Sequence, residues 1–172
     1  QQFGTELGRG GFGIVYQALN MSTGDFVAVK QFPYDPDNEQ FQEIELEIEM
    51  MKLLDHPNIV KYIDAITEDD QLFIVIEFME NGSLTDVCKK FGNMDESLVA
   101  VWTRQVLLGL QYLHRQGVLH RDIKGANILT DKTGAVKLAD FGLAKRDDES
   151  LAVTTSGQLL GTPYFMSPEQ VR

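Results

Sequence analysis

The sequence predicts an α+β fold, in which several strands and one helix are followed by a more helical region. Three short apolar runs that are typical of strands lie at residues 14–18, 26–30 and 72–76. Two longer segments, residues 39–54 and 95–116, instead carry apolar residues at helical spacing. The two parts are expected to meet near residue 79.

Each predicted helix has an apolar face that is expected to point inward. Asp95 is a typical N-cap for the second helix, and Gly117 is a typical stop after its C-terminus. The inward residues of the first helix are predicted to be Phe41, Ile44, Ile48, Met51 and Leu53 or Leu54. Those of the second are predicted to be Leu98, Val101, Trp102, Val106, Leu110 and Leu113.

Composition places the chain in the globular class. It has 172 residues, of which 43% are hydrophobic, enough for one good core or two small ones. Cys88 is the only cysteine, so no internal disulfide can form and a reducing compartment is favoured. Since the chain begins without a secretory signal and no run approaches the length of a membrane span, we expect a cytoplasmic protein. The formal net charge of −11 argues against nucleic acid as a partner.

The segment from residue 118 to residue 142 carries the chemistry. His120-Arg121-Asp122 is followed by Lys124 and Asn127, and then by two short predicted strands joined by a typical hairpin turn at residues 131–134. The hairpin ends on Asp140-Phe141-Gly142. Two carboxylates, an amide and a cation are thus brought to one edge, a set suited to metal-bound phosphate and a hydroxyl nucleophile.

This segment resembles the catalytic and metal loops of protein kinases, H-R-D-x-x-x-x-N followed by D-F-G. The resemblance implies a two-lobed protein kinase fold that uses ATP and Mg²⁺. The antiparallel-sheet N-lobe with its key helix would span residues 1–78, and a partial helical C-lobe would span residues 79–172. Because a full kinase domain continues beyond the position of Arg172, the chain is expected to be a fragment of a longer kinase.

A glycine motif precedes the first strands. Gly8, Gly10 and Gly13, with Val15, match G-x-G-x-x-G-x-V. The same glycine spacing occurs in dinucleotide-binding turns, where a helix follows. Here the following residues 14–18 are β-branched, aromatic and alternating, so the motif is expected to join two strands and to place backbone N–H groups over phosphates.

Lys30 ends an apolar strand, where a half-buried lysine needs an acidic partner. The resemblance implies that this partner is a glutamate of the helix at residues 39–54. Glu47 lies three residues after Ile44 and four before Met51, beside the inward face, and is preferred. Glu43, one turn earlier, is the competitor.

The resemblance also assigns roles. Asp122 would orient the substrate hydroxyl and accept its proton, Lys124 would steady the γ-phosphate, and Lys30, paired with Glu47, would align the triphosphate. Asn127 and Asp140 would hold Mg²⁺. The implied nucleotide-binding residues are Leu7, Gly8, Gly10, Gly13, Val15, Ala28, Lys30, Glu77, Met79 and Leu129.

The segment after Gly142 resembles an activation loop. Thr154, Thr155 and Ser156 are candidate phosphorylation sites, since kinases with an arginine at the position of Arg121 use it to bind such a phosphate. Thr162 is assigned a positioning role near Asp122 and Lys124.

The sequence H-R-D-I-K resembles serine/threonine kinases, and HRDIKGANIL resembles the MAP kinase kinase kinases. A MAP kinase kinase would then be the protein substrate. Phe165, where Trp is common, and Ser167, where Ala is common, depart from the family pattern near the peptide-docking segment. The alternative is a truncated, non-catalytic fragment that binds nucleotide or a partner.

Overall fold

The computed structural model describes residues 2–10, 13–34, 39–140, 145–146 and 163–167. The chain forms two compact units. The first comprises Gln1–Asp55 and Val60–Met79, and the second comprises His56–Ile59 and Glu80–Arg172. The boundary predicted from sequence, between residues 78 and 79, differs from this division in two places. Met79 belongs to the first unit, and residues 56–59 belong to the second unit, where Asn58 is hydrogen bonded.

The first unit is built on a five-stranded antiparallel sheet with the order β1-β2-β3-β5-β4. Its strands are β1 (Gln2–Gly10), β2 (Gly13–Leu19), β3 (Phe26–Pro33), β4 (Tyr62–Glu68) and β5 (Gln71–Glu77). Short turns join β2 to β3 and β4 to β5, as antiparallel neighbours allow. The glycine motif therefore joins two strands, as predicted.

Helix α1 (Glu39–Leu53) packs against one face of this sheet. Ile48 is buried with Phe32, Leu72 and Ile74, and Ile44 and Met51 pack against the same cluster. Glu45 and Glu49 are exposed, and Glu49 pairs with Lys52 at 2.6 Å. The predicted inward residues Ile44, Ile48 and Met51 are confirmed, since the apolar spacing of 3–4 residues places one stripe on the sheet. Of the two leucines at the end of the prediction, Leu54 is buried and Leu53 is exposed.

The described residues of the second unit form two helices and several short strands. Its elements are β6 (Gly82–Ser83), α2 (Leu84–Phe91), α3 (Glu96–Arg115), β7 (Val118–Leu119), a 3-10 turn (Gly125–Asn127), β8 (Ile128–Thr130), β9 (Val136–Leu138), β10 (Lys145–Arg146) and a second 3-10 turn (Pro163–Phe165). Strands β6, β8 and β9 form one small sheet, and β10 pairs with β7. None of the helices in the described part of the chain has the length and apolar character that crossing a membrane requires.

The predicted hairpin is confirmed. Strands β8 and β9 are antiparallel, and Gly134 in the turn has a φ of 82°, which glycine adopts without strain. The Asp131 carboxylate accepts hydrogen bonds from the N–H and hydroxyl of Thr133 and from the N–H of Ala135. Burial alone would raise the pKa of Asp131, but these hydrogen bonds to the charged form lower it.

Helix α3 corrects part of the prediction. Leu113 is fully buried and Val106 and Leu110 are half-buried, but Leu98 and Val101 are exposed. Because α3 packs on β7 and β9 along one side, apolar residues elsewhere on its surface find no cover within the described residues. Apolar periodicity identified the helix but predicted a wider buried face than the structure shows.

The N-caps of α2 and α3 should differ in how much they stabilise the protein. The Ser83 hydroxyl accepts a hydrogen bond from the Asp86 N–H at 3.1 Å and forms a capping box with that residue, whereas Asp95 makes no side-chain capping bond. We expect Ser83→Ala to lower the free energy of unfolding by about 1 kcal/mol, and Asp95→Ala to lower it less. Urea unfolding followed by circular dichroism measures both, and an equal or larger loss for Asp95→Ala would contradict the assignment.

Candidate active site

The loop after β7 turns sharply around Arg121. The Asp122 N–H donates to the His120 carbonyl at 2.9 Å, closing a three-residue turn, and Arg121 has a φ of 64°. Few non-glycine residues adopt a positive φ, and such strain persists where the surrounding structure enforces it. The turn brings the Asp122 side chain back toward the hairpin.

His120 connects this loop to the end of β9. Its side chain is only 2% exposed, and Nε2 donates to the Ala139 carbonyl at 3.0 Å while Nδ1 faces the Asp122 N–H. A neutral imidazole with its proton on Nε2 satisfies both contacts. Burial lowers the pKa of His120, and the Ala139 carbonyl and the nearby carboxylates Asp140 and Asp122 offset only part of this effect.

Asp122, Lys124 and Asn127 form one hydrogen-bonded cluster. The Lys124 ammonium lies 2.7 Å from Asp122 Oδ2. Asn127 Nδ2 donates to the same oxygen and to the Asp122 carbonyl, each at 2.9 Å. Asp122 and Asn127 are 9% and 5% exposed, so these bonds are made in a largely desolvated environment and hold the carboxylate in a single orientation.

Asn127 also fixes the residue that precedes Asp140. Its carbonyl accepts the Ala139 N–H at 2.9 Å, so Ala139 is bonded on both sides, to Asn127 and to His120. Asp140 follows directly and has a φ of 61°. The hairpin thus places Asp140 just after β9, close to the loop of residues 120–127. Phe141 and Gly142 lie outside the described residues.

Gly125 packs closely against the start of α2. A Cβ at this position would lie 2.8 Å from Thr85 Oγ1, so a larger residue would displace the Thr85 side chain. The φ of Gly125 is unremarkable, and its sequence context gave no indication of this contact. Thr85 is therefore a supporting residue that sequence reasoning missed.

The predicted glycine motif and Leu7 lie on the first two strands of the sheet. Gly8 pairs with Val15 and Gly10 with Gly13, while residues 11 and 12 between them are outside the described part. A Cβ on Gly13 would collide with the Gln31 carbonyl, which explains the requirement for glycine there. Leu7 is exposed on β1.

Lys30 is half-buried on β3 opposite Ile74, whose side chain belongs to the α1-facing cluster. Its ammonium lies 5.2 Å from the centre of the Phe32 ring. Residues directly opposite each other on adjacent strands have their side chains on the same face of the sheet. Lys30 therefore lies on the face that α1 covers. Glu47 lies in α1, but its side chain and that of the competitor Glu43 are outside the described residues.

The other predicted positions are placed as follows. Ala28 is buried on β3, Glu77 ends β5 with its N–H bonded to the Lys61 carbonyl at 3.0 Å, and Met79 is buried. Leu129 is half-buried on β8 in the second unit. The candidate regulatory residues Thr154, Thr155, Ser156 and Thr162 lie outside the described residues.

A model of the protein kinase domain family matches residues 2–172. The chain belongs to the protein kinase family. It is 53% identical to cytokinesis protein sepH of Emericella nidulans and 45% identical to mitogen-activated protein kinase kinase kinase ANP1 of Arabidopsis thaliana. It is 51% identical to MAP3K epsilon protein kinase 1 of Arabidopsis thaliana.

These alignments cover 98–99% of this chain but only 12%, 26% and 12% of the three relatives, in that order. They confirm the predicted protein kinase fold and the predicted resemblance to the MAP kinase kinase kinases. The five-stranded antiparallel sheet with α1 is the predicted N-lobe architecture of this kinase domain.

The lowered pKa of His120 should make stability depend on pH. As the pH falls below the ordinary value of 6.5, the unfolded state gains a proton before the folded state does. The free energy of unfolding therefore decreases between 6.5 and the lowered folded pKa, and this contribution levels off below it. We expect His120→Gln to reduce the slope of unfolding free energy against pH between about pH 7 and pH 5.

His114→Gln, the same replacement of an exposed histidine, controls for loss of an imidazole. A wild-type slope in the His120→Gln variant would refute the assignment of the slope to this residue.

Proposed function

We propose that this chain forms part of an ATP-dependent serine/threonine kinase domain that transfers the γ-phosphate of ATP to a serine or threonine of a MAP kinase kinase. The hydrogen-bonded cluster of Asp122, Lys124 and Asn127 is the observation that carries this proposal. The choice of substrate rests on relatives whose names describe mitogen-activated protein kinase kinase kinases.

Asp122 would orient the acceptor hydroxyl and take its proton as the phosphoryl group is transferred. Its Oδ2 is held by the Lys124 ammonium and the Asn127 amide, so the carboxylate needs no reorganisation before reaction. Lys124 can at the same time place its positive charge beside the transferred phosphoryl group. Catalysis by these residues would consist of positioning and charge neutralisation.

The donor set also fits Mg²⁺. Asn127 directs its Nδ2 at Asp122, which leaves its Oδ1 as the atom that a metal would take, and Asp140 adds a carboxylate. Hard cations prefer such oxygen ligands. When bound, Mg²⁺ would neutralise charge on the phosphates.

The first unit would bind the nucleotide. The backbone around Gly8, Gly10 and Gly13 would contact phosphates, and Lys30, with Glu47 as its acidic partner, would contact the α- and β-phosphates. Backbone groups of Glu77 and Met79 would bind the adenine edge. Thr154, Thr155 or Ser156 would accept an activating phosphate, and Thr162 would help position the substrate.

Asp122→Asn tests this function. The variant keeps the size and the hydrogen-bonding oxygen of the side chain but removes the base, so we expect phosphotransfer in the full-length protein to fall by about 10²- to 10⁴-fold. Binding of ATP, measured by calorimetry, should persist. Transfer of labelled phosphate from ATP to a MAP kinase kinase measures the loss.

Asp25→Asn, at an exposed position on the first unit, is the matched control and should retain wild-type turnover. Wild-type turnover in Asp122→Asn would refute the assigned role. A wild-type protein that binds ATP and transfers no phosphate would instead support the non-catalytic alternative.

A further inference from the structure

The short segment at residues 56–59 follows α1 in the chain but lies along the second unit, on the edge of β9 that does not face β8. The Asn58 carbonyl accepts the Leu138 N–H at 2.9 Å, and Ile59 forms an isolated parallel bridge with Leu138. The segment therefore completes the hydrogen bonding of an otherwise unpaired strand edge.

Two side-chain amides extend this contact. Asn58 Nδ2 donates to the Val136 carbonyl at 2.8 Å and to Gln105 Oε1 at 3.1 Å. Gln105 Oε1 also accepts the Val136 N–H at 2.8 Å. Both polar groups of the Val136 backbone are thus bonded to side chains, and Asn58 is 7% exposed.

Helix α3 is shaped to hold this arrangement. Gly109 lies one turn after Gln105, and a Cβ there would come within 2.8 Å of the Asn58 carbonyl and 3.1 Å of Leu138 Cδ1. His56 Nδ1 accepts the Asn58 N–H at 3.0 Å, and the His56 ring stacks on Tyr112 with centroids 4.8 Å apart. The segment is consequently held by α3 and by its own hydrogen bond, in addition to its contacts with β9.

We propose that Asn58 and Gln105 are positioning residues for Asp140. They fix Val136 and Leu138 on β9, and Ala139 alone separates that strand from the carboxylate. The inference rests on the proposed function, in which Asp140 holds Mg²⁺. Loss of the supporting bonds around a metal ligand typically weakens metal affinity by about 10- to 100-fold, because the ligand is no longer held in place.

Three variants, compared in two ways, separate hydrogen bonding from charge and size. Gln105→Glu retains the oxygen that accepts both bonds, whereas Gln105→Met retains the length and removes the acceptor. Asn58→Asp replaces the donor by an oxygen that would face the Val136 carbonyl and Gln105 Oε1. Asn58→Asp and Gln105→Glu each add one negative charge, so a difference between them cannot be caused by charge alone.

Two measurements are made on the full-length protein. Amide hydrogen exchange at Val136 and Leu138, without metal or nucleotide, should be at least about tenfold faster in Asn58→Asp and Gln105→Met than in wild type. The Mg²⁺ concentration for half-maximal phosphotransfer should rise by about tenfold in the same two variants. Gln105→Glu should stay close to wild type in both.

Equal behaviour of Gln105→Met and Gln105→Glu, or a Gln105→Met variant with wild-type Mg²⁺ dependence, would overturn the proposal. If Asn58→Asp fails to fold, the Gln105 pair still decides. Failure of the proposed function has a different signature: the wild type itself would transfer no phosphate, and the positioning role would fall with it whatever the exchange rates are.

Discussion

The candidate site depends on the hydrogen bonds of a single buried residue, Asn127. Asn127 donates from its side chain to Asp122 twice and accepts the Ala139 N–H at its backbone carbonyl. One residue thus connects the loop that carries Asp122 to the strand that precedes Asp140. Because Asn127 and Asp122 are both largely desolvated, removing the amide would leave a buried carboxylate with fewer donors, which costs more than the bond alone contributes.

The hydrogen bond between His120 and Ala139 explains how two strained residues persist in the site. Arg121 and Asp140 both have positive φ values, a conformation that costs of the order of 1–3 kcal/mol at a non-glycine residue. His120 precedes one and Ala139 precedes the other, and these two residues are hydrogen bonded to each other. The backbone is therefore fixed immediately before each strained position, and the strain is confined to the residues that carry the charged side chains.

The sequence predicted the parts of the site that are close in the chain. Asp122, Lys124 and Asn127 fall within six residues, and the hairpin turn has local chemistry that identifies it. The supporting contacts were missed because they join distant residues: Asn58 to Val136, Gln105 to Asn58, and Thr85 to Gly125. The signals were weak but present, namely Gln105 and Gly109 on a largely apolar helix. The exposure of Leu98 and Val101 was also beyond local reasoning, since it depends on what covers the helix.

The most direct test of a metal-dependent phosphotransfer site is thermal unfolding of the protein with ATP, in the presence and absence of Mg²⁺. The wild type is compared with Asp140→Asn, which preserves the shape of the side chain and removes its charge. A ligand that binds the folded state raises the unfolding temperature. The account predicts that ATP raises it further when Mg²⁺ is present, and that Asp140→Asn abolishes this extra increase. The same increase without Mg²⁺, or an undiminished Mg²⁺-dependent increase in Asp140→Asn, would contradict the account.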